Sequence, residues 1–165
     1  MFSKEYAHLP IFNGLSHIEL DLLDSFMELQ PFDSNQLIFE QGSKVTFIYI
    51  LLNGEVTIHY KPYDGPTLIV ANIQPGEVFG WSAIVGREEY TSKANAVLPS
   101  LTYRITAQNV KLICNQYPEI GEKFINRLIC GMTERINHSN NQVKDSLRQG
   151  MKMIDMYVRS KMNNG

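Results

Sequence analysis

Residues 75–96, PGEVFGWSAIVGREEYTSKANA, decide how the rest of the chain is read. A Pro-Gly turn opens the stretch and a short run leads into Phe79 and Gly80. A brief helical segment, a charged loop and a return of alternating small residues follow. A strand that breaks at a glycine and restarts as a helix directs backbone N–H groups outward, which suits an anionic group such as a phosphate.

The flanks of this stretch read as sheet. Over residues 29–105, β-branched and aromatic residues come in short runs punctuated by Gln41-Gly42, Asn53-Gly54, Asp64-Gly65-Pro66 and Pro75-Gly76. Val56, Ile58 and Tyr60 alternate with Thr57, His59 and Lys61, as in a sheet with one wet face. Regularly spaced short strands of this kind build a sandwich or a barrel. Ahead of them, Ser16 followed by Glu19 forms a capping-box pattern before Ile18, Leu20, Leu22, Leu23 and Phe26, which predicts a short amphipathic helix. Behind them, Thr106 caps a second helical stretch that Pro118 ends or kinks, and a long helix starts near Glu119. Ile125, Ile129, Met132 and Ile136 recur along it at coiled-coil spacing, and Val143 resumes the spacing after a polar interruption. Such a seam needs a cover, and a second copy of the same helix is the simplest one. The alternative is a helix that folds back on its own sheet.

At this point the chain resembles a known family, the cyclic nucleotide-binding domains of catabolite-activator-type regulators, kinase regulatory subunits and gated channels. Phe79, Gly80 and Ala83 match the family's phosphate-binding cassette. Residues 9–29 look like its entry helices, and residues 35–58, NQLIFEQGSKVTFIYILLNGEVTI, look like its first strands. The resemblance implies a mainly β fold with flanking helices: a double-stranded β-helix, or jelly-roll β-roll. It implies an N-terminal helical lead-in over 1–28, a roll over 29–105 with the cassette at 75–96, and C-terminal helices over 106–165. It also assigns candidate ligand-binding positions to Phe79, Gly80, Trp81, Ser82, Ala83, Arg87, Tyr90, Thr91, Ser92 and Thr133, with a cyclic nucleotide or another small anion as the guest.

The cassette departs from the family pattern at two positions. Trp81 stands where the glutamate that holds the ribose 2′-hydroxyl belongs, and Tyr90 stands where the phosphate-pairing arginine belongs. A tyrosine hydroxyl offers one neutral hydrogen bond in place of a planar cationic fork, so cAMP recognition of the ordinary kind is weakened. Arg87 and Lys93 are either substitute cations or solvated loop charges. Trp81 either stacks on a flat ligand or fills the pocket.

Composition sets the remaining bounds. A chain of 165 residues with 44% hydrophobic and 19% charged content is a globular domain, not a disordered segment. A net charge of −2 gives no basic footprint for nucleic acid, and the chain ends at Gly165 without an evident helix-turn-helix, so direct DNA contact is not expected. Cys114 and Cys130 lack metal-ligand spacing, and His8, His17, His59 and His138 are scattered, so no metal is expected. No catalytic constellation is evident, and no membrane span or signal segment is recognisable. The expectation is a cytoplasmic, non-enzymatic regulatory domain, homodimeric through its long helix. It would respond to a small effector and pass the response to a separate output protein. The alternative is a ligand-free relative of such a domain that serves as a dimerisation or docking scaffold.

Overall fold

The computed structural model describes residues 1–138, 156 and 158–163, with side chains placed for residues 1–130, 156 and 158–163. It divides into Met1–Met132 and Thr133–Gly165; the described residues of the second unit are helical. Two antiparallel four-stranded sheets form the first unit. One has the strand order β1 (Glu28–Phe32), β8 (Ser100–Thr106), β3 (Phe47–Asn53), β6 (Val78–Phe79). The other has the order β2 (Leu37–Phe39), β7 (Lys93–Ala96), β4 (Val56–Tyr60), β5 (Leu68–Ile73). This is the mainly β roll with flanking helices that the resemblance implies.

Strand β3, FIYILLN, shows why the sequence reads as a continuous apolar run there and not as an alternation. Ile48, Ile50 and Leu52 face a core shared with the helices, whereas Tyr49 and Leu51 face the core between the two sheets. Side chains alternate across a strand, so a strand buried on both faces carries apolar residues at every position. At the end of β3, Gly54 turns the chain into β4 with φ 102°, and a Cβ there would lie 2.7 Å from the Ser100 Cα. Only glycine fits that turn.

Three helices cover the first sheet: α1 (His17–Asp24), α2 (Ala107–Gln116) and α3 (Pro118–His138). The expected capping box holds α1, with the Glu19 N–H donating to Ser16 Oγ at 3.3 Å and the Ser16 N–H donating to Glu19 Oε2 at 2.8 Å. Thr106 Oγ1 caps α2 by accepting from the Asn109 N–H at 3.1 Å. The Tyr103 hydroxyl on β8 donates to Asp24 Oδ1 at 2.6 Å, and Lys123 on α3 pairs with Glu19 at 2.7 Å. Burial and the Asp24 carboxylate push the Tyr103 phenol well above its ordinary range.

The apolar face of α3 that meets the roll differs from the expected seam. Phe124 and Leu128, four residues apart, are fully buried, and Ile125 is half-buried beside them. Ile129 is 46% exposed. The first turns of α3 therefore cover the chain's own roll, with the wholly buried row displaced by one residue from the Ile125–Ile129 row. The side chains of Met132, Ile136 and Thr133, and all of Val143, lie outside the described residues.

Candidate ligand-binding cup

The space between the two sheets is where a roll of this shape would hold a guest, and the cassette forms one side of it. Gly80 sits in the left-handed region at φ 81° between β6 and a single 3-10 turn, Trp81–Ala83. A Cβ there would come within 3.1 Å of the Phe47 carbonyl oxygen, so glycine lets the cassette lie directly on β3. The amides after it turn inward onto the cassette's own carbonyls. Ala83 donates to Gly80 O at 3.3 Å, Ile84 to Trp81 O at 3.0 Å and Arg87 to Ser82 O at 3.1 Å. The outward amide cradle expected from the sequence is, at these positions, committed to the turn itself.

Tyr90 then decides the chemistry of the interior. Its side chain enters the inter-sheet core at 3% exposure and stacks on Phe39 with ring centres 3.9 Å apart and 11° between planes. Its hydroxyl donates to the Phe47 carbonyl at 2.7 Å and accepts from the Phe47 N–H at 3.0 Å. Its own backbone is held by the β2–β3 loop, with the Tyr90 N–H donating to Ser43 O and the Gly42 N–H donating to Tyr90 O. Main chain, ring and hydroxyl thus each fix the residue in place.

Further rings surround Tyr90, among the aliphatic side chains of Leu51, Val56, Ile58 and Ile73. Tyr49 and Phe79 stack at 5.1 Å, Phe39 lies 5.9 Å from Tyr49 and 6.2 Å from Phe79, and Phe32 meets Tyr49 edge-on at 6.3 Å. Burial raises the Tyr49 phenol to about 12, with the neighbouring Tyr90 adding to the shift, so the group is neutral at ordinary pH. An anion placed here would meet ring faces and the neutral Tyr49 phenol, and the Arg104 guanidinium beside Tyr49, 4.1 Å over the Phe47 ring, is already paired with Glu28 at 2.9 Å.

The other expected site residues are scattered around this plug. Phe79, Ser82 and Ala83 are buried, whereas Arg87 and Thr91 are exposed and Ser92 is half-buried. Trp81 does neither of the things its sequence position suggests: it packs against the helical core and not in the inter-sheet space, and its buried Nε1 finds no partner among the described residues. Neither candidate cation turns inward. Arg87 stays on the exposed loop, and Lys93 lies on the outer face of β7, 3.9 Å from Glu40. Sequence reasoning missed Phe39, Tyr49 and Phe47 as partners of Tyr90; the strand-like runs that carry them were visible, but not the register that brings them to it.

Comparison with known proteins places this fold. The cyclic nucleotide-binding domain description matches residues 29–117. The chain belongs to the cyclic nucleotide-binding domain family. Among curated relatives, the cyclic AMP receptor protein of Thermus thermophilus is 30% identical over 88 residues, covering 53% of this chain and 41% of that protein. This chain therefore spans less than half of that relative. A solved cyclic nucleotide-binding domain from Methylobacillus flagellatus superposes with a TM-score of 0.78 at 18% identity, covering 86% of this chain and 82% of that one. A cAMP-bound triple mutant of the regulatory subunit of a cAMP-independent protein kinase A from Trypanosoma brucei superposes with a TM-score of 0.64. It is 16% identical and the match covers 87% of this chain and 48% of that one. Among the described residues no helix is long and apolar enough to cross a membrane, and no group of three or more His, Cys, Asp or Glu side chains could hold a metal ion.

Proposed function

We propose that this chain is a non-enzymatic regulatory module whose cyclic nucleotide cup is held shut by its own aromatic side chains. Tyr90 takes the place of a ligand, and the module serves as a preassembled docking or dimerisation unit. The observation that carries this reading is the Tyr90 ring stacked on Phe39 at 3.9 Å with its hydroxyl bonded to both polar backbone groups of Phe47. Tyr90 itself ties the cassette loop to both sheets, through its ring on Phe39 of β2 and its hydroxyl on Phe47 of β3. The output surface in this proposal is the long C-terminal helix, with a second copy as the first partner and a separate output protein as the next. The free Cys114 and Cys130 support a reducing, cytoplasmic setting.

A second reading, a sensor that binds a cyclic nucleotide or another small anion in the roll, is favoured by the relatives. The Thermus protein is named a cyclic AMP receptor, and the Trypanosoma subunit, named cAMP-independent, is bound to cAMP as a triple mutant. Backbone amide NMR of the full chain separates the two. With cAMP or cGMP added up to about 1 mM, the upper end of ordinary small-molecule constants, the closed cup gives no saturable shift at Phe39, Tyr49, Phe79 or Tyr90. A saturable shift at those residues refutes the closed cup and restores the sensor.

A further inference from the structure

The wall that closes the cup has a second side. On β4, Val56 and Ile58 point into the roll, so Thr57 and His59 point away from it, with Lys61 just past the strand's end; on β7, Ala94 and Ala96 point in, so Lys93 and Asn95 point away. The register sets Thr57 opposite Asn95 and His59 opposite Lys93, which brings four polar side chains into one cluster on the outer face. Chain on either side of β2 walls this cluster in. Asn35 stands in the left-handed region at φ 63°, and Gln41 bridges to the main chain of Lys61, accepting from its N–H at 2.8 Å and donating to its carbonyl at 3.0 Å. The result is a cleft of about 470 Å³, with Thr67 from the β4–β5 loop on its far side.

A solvated outer face would leave its polar groups wet, as Lys61 and Glu40 are, but at two positions this one does not. Thr57 is only 6% exposed, and Asn95 Oδ1 is buried with no hydrogen-bond partner among the described residues. A buried acceptor without a donor is destabilising, and proteins keep few of them. The volume lies within the range of small-molecule sites, but such sites are mostly apolar. Here hydroxyl, amide, imidazole and ammonium groups share the lining with Ala96 and Val97, and against Lys61, Lys93 and His59 it sets one carboxylate, Glu40.

We propose that this outer cleft is a binding site for a small polyhydroxylated anion, such as a sugar phosphate or sugar acid. Its phosphate or carboxylate lies by Lys61 and Lys93, and the half-buried Asn95 turns its side chain so that Oδ1 accepts from one of the ligand's hydroxyls. The ammonium groups supply charge-assisted bonds, the partner class that an oxyanion requires. Glu40, held only loosely by Lys93 at 3.9 Å, is displaced by the stronger anion. This site is separate from the cup and does not depend on whether the cup is closed.

The test is backbone amide NMR on the full chain with gluconate, glycerol phosphate and a hexose phosphate, and with inorganic phosphate and free glucose as controls. At least one of the three polyhydroxylated anions should give saturable shifts at Thr57, His59, Lys93 and Asn95 at concentrations up to about 1 mM. Lys93→Gln should weaken that binding about tenfold or more, the size expected for a lost charged partner. Asn95→Leu should also weaken it, while leaving the urea midpoint unchanged or raised, because the substitution removes an unpaired buried acceptor. Failure of all three ligands overturns the proposal. So does equal binding of inorganic phosphate alone, which means an adventitious ion only, or indifference of the affinity to both substitutions. Shifts centred on Phe39 and Tyr90 instead would overturn both this site and the closed cup, whereas silence everywhere leaves the closed cup standing.

Discussion

Removing the Tyr90 hydroxyl and then its ring tests whether the residue is an internal ligand or an ordinary loop side chain. Tyr90→Phe keeps the stack on Phe39 at 3.9 Å but deletes two hydrogen bonds to Phe47, one at 2.7 Å and one at 3.0 Å, along with a longer one from the Thr46 N–H at 3.4 Å that adds little. Each of the two bonds to Phe47 is worth about 0.5–1.5 kcal/mol net, so the hydroxyl contributes about 1–3 kcal/mol. Tyr90→Ala also removes a buried ring, a loss of about 3–5 kcal/mol for large aromatics in a core that relaxes only partly. The second variant thus approaches the whole stability of an ordinary domain, about 5–15 kcal/mol. Urea unfolding followed by the fluorescence of Trp81 is a suitable assay, because the indole packs against the helical core and away from the inter-sheet rings, so it reports global unfolding. With a slope of about 1–3 kcal/mol per molar urea, Tyr90→Phe should lower the midpoint by roughly 1 M and Tyr90→Ala by more. Both variants within about 0.5 kcal/mol of the parent, the range of surface substitutions, would refute the idea that Tyr90 holds the cup shut.

Three further outcomes are expected. Leu128→Ala should destabilise the chain by about 2–5 kcal/mol in the same assay, because Leu128 is wholly buried where α3 meets the roll, and Ile129→Ala should cost clearly less. An equal cost for the two would mean that the helix docks on a different face. The Tyr49 phenol, raised to about 12 by burial, favours the folded state fully below the unfolded value of about 10 and loses that contribution as pH climbs toward its folded value. Stability should therefore fall through this alkaline window, and Tyr49→Phe should flatten the fall; an unchanged profile would contradict the placement of Tyr49. Tyr90→Arg combined with Trp81→Glu replaces the plug with a cationic fork and restores a carboxylate at the cassette turn. Calorimetric titration of the double variant with cAMP should show binding that the parent lacks, and no gain would dissociate Tyr90 from the phosphate position.

Much of the roll is legible in the chain because its signals are local. The glycine turns, the Ser16–Glu19 box and the two-sided apolar run of β3 are each written within a few residues, and the structure reproduces them in place. The interior of the cup is less legible, because its occupancy is set by pairings between strands far apart in sequence. Tyr90 is recognisable as a departure at one cassette position. That it reaches Phe39 and Phe47 follows from how the loop bearing it is pinned between Gly42 and Ser43. Trp81 misleads for a related reason: the resemblance implies a guest-facing side chain at its position, but after the left-handed turn at Gly80 this indole packs against the helical core. On α3, the Ile125–Ile129 spacing and the Phe124–Leu128 spacing are equally good helical rows. Only the packing partner distinguishes them, and that partner is the chain's own sheet.

Because β3 lends alternate side chains to both cores, it acts as a party wall between the helical layer and the cup. Packed interiors transmit displacement instead of absorbing it. A partner that shifts α3 would press on the core it shares with Ile48 and Ile50, and through them on the neighbouring Tyr49 and the Phe47 main chain that anchors Tyr90. Traffic along that route needs no diffusible messenger, so a domain with a sealed interior still has the mechanical means to register what touches its outside.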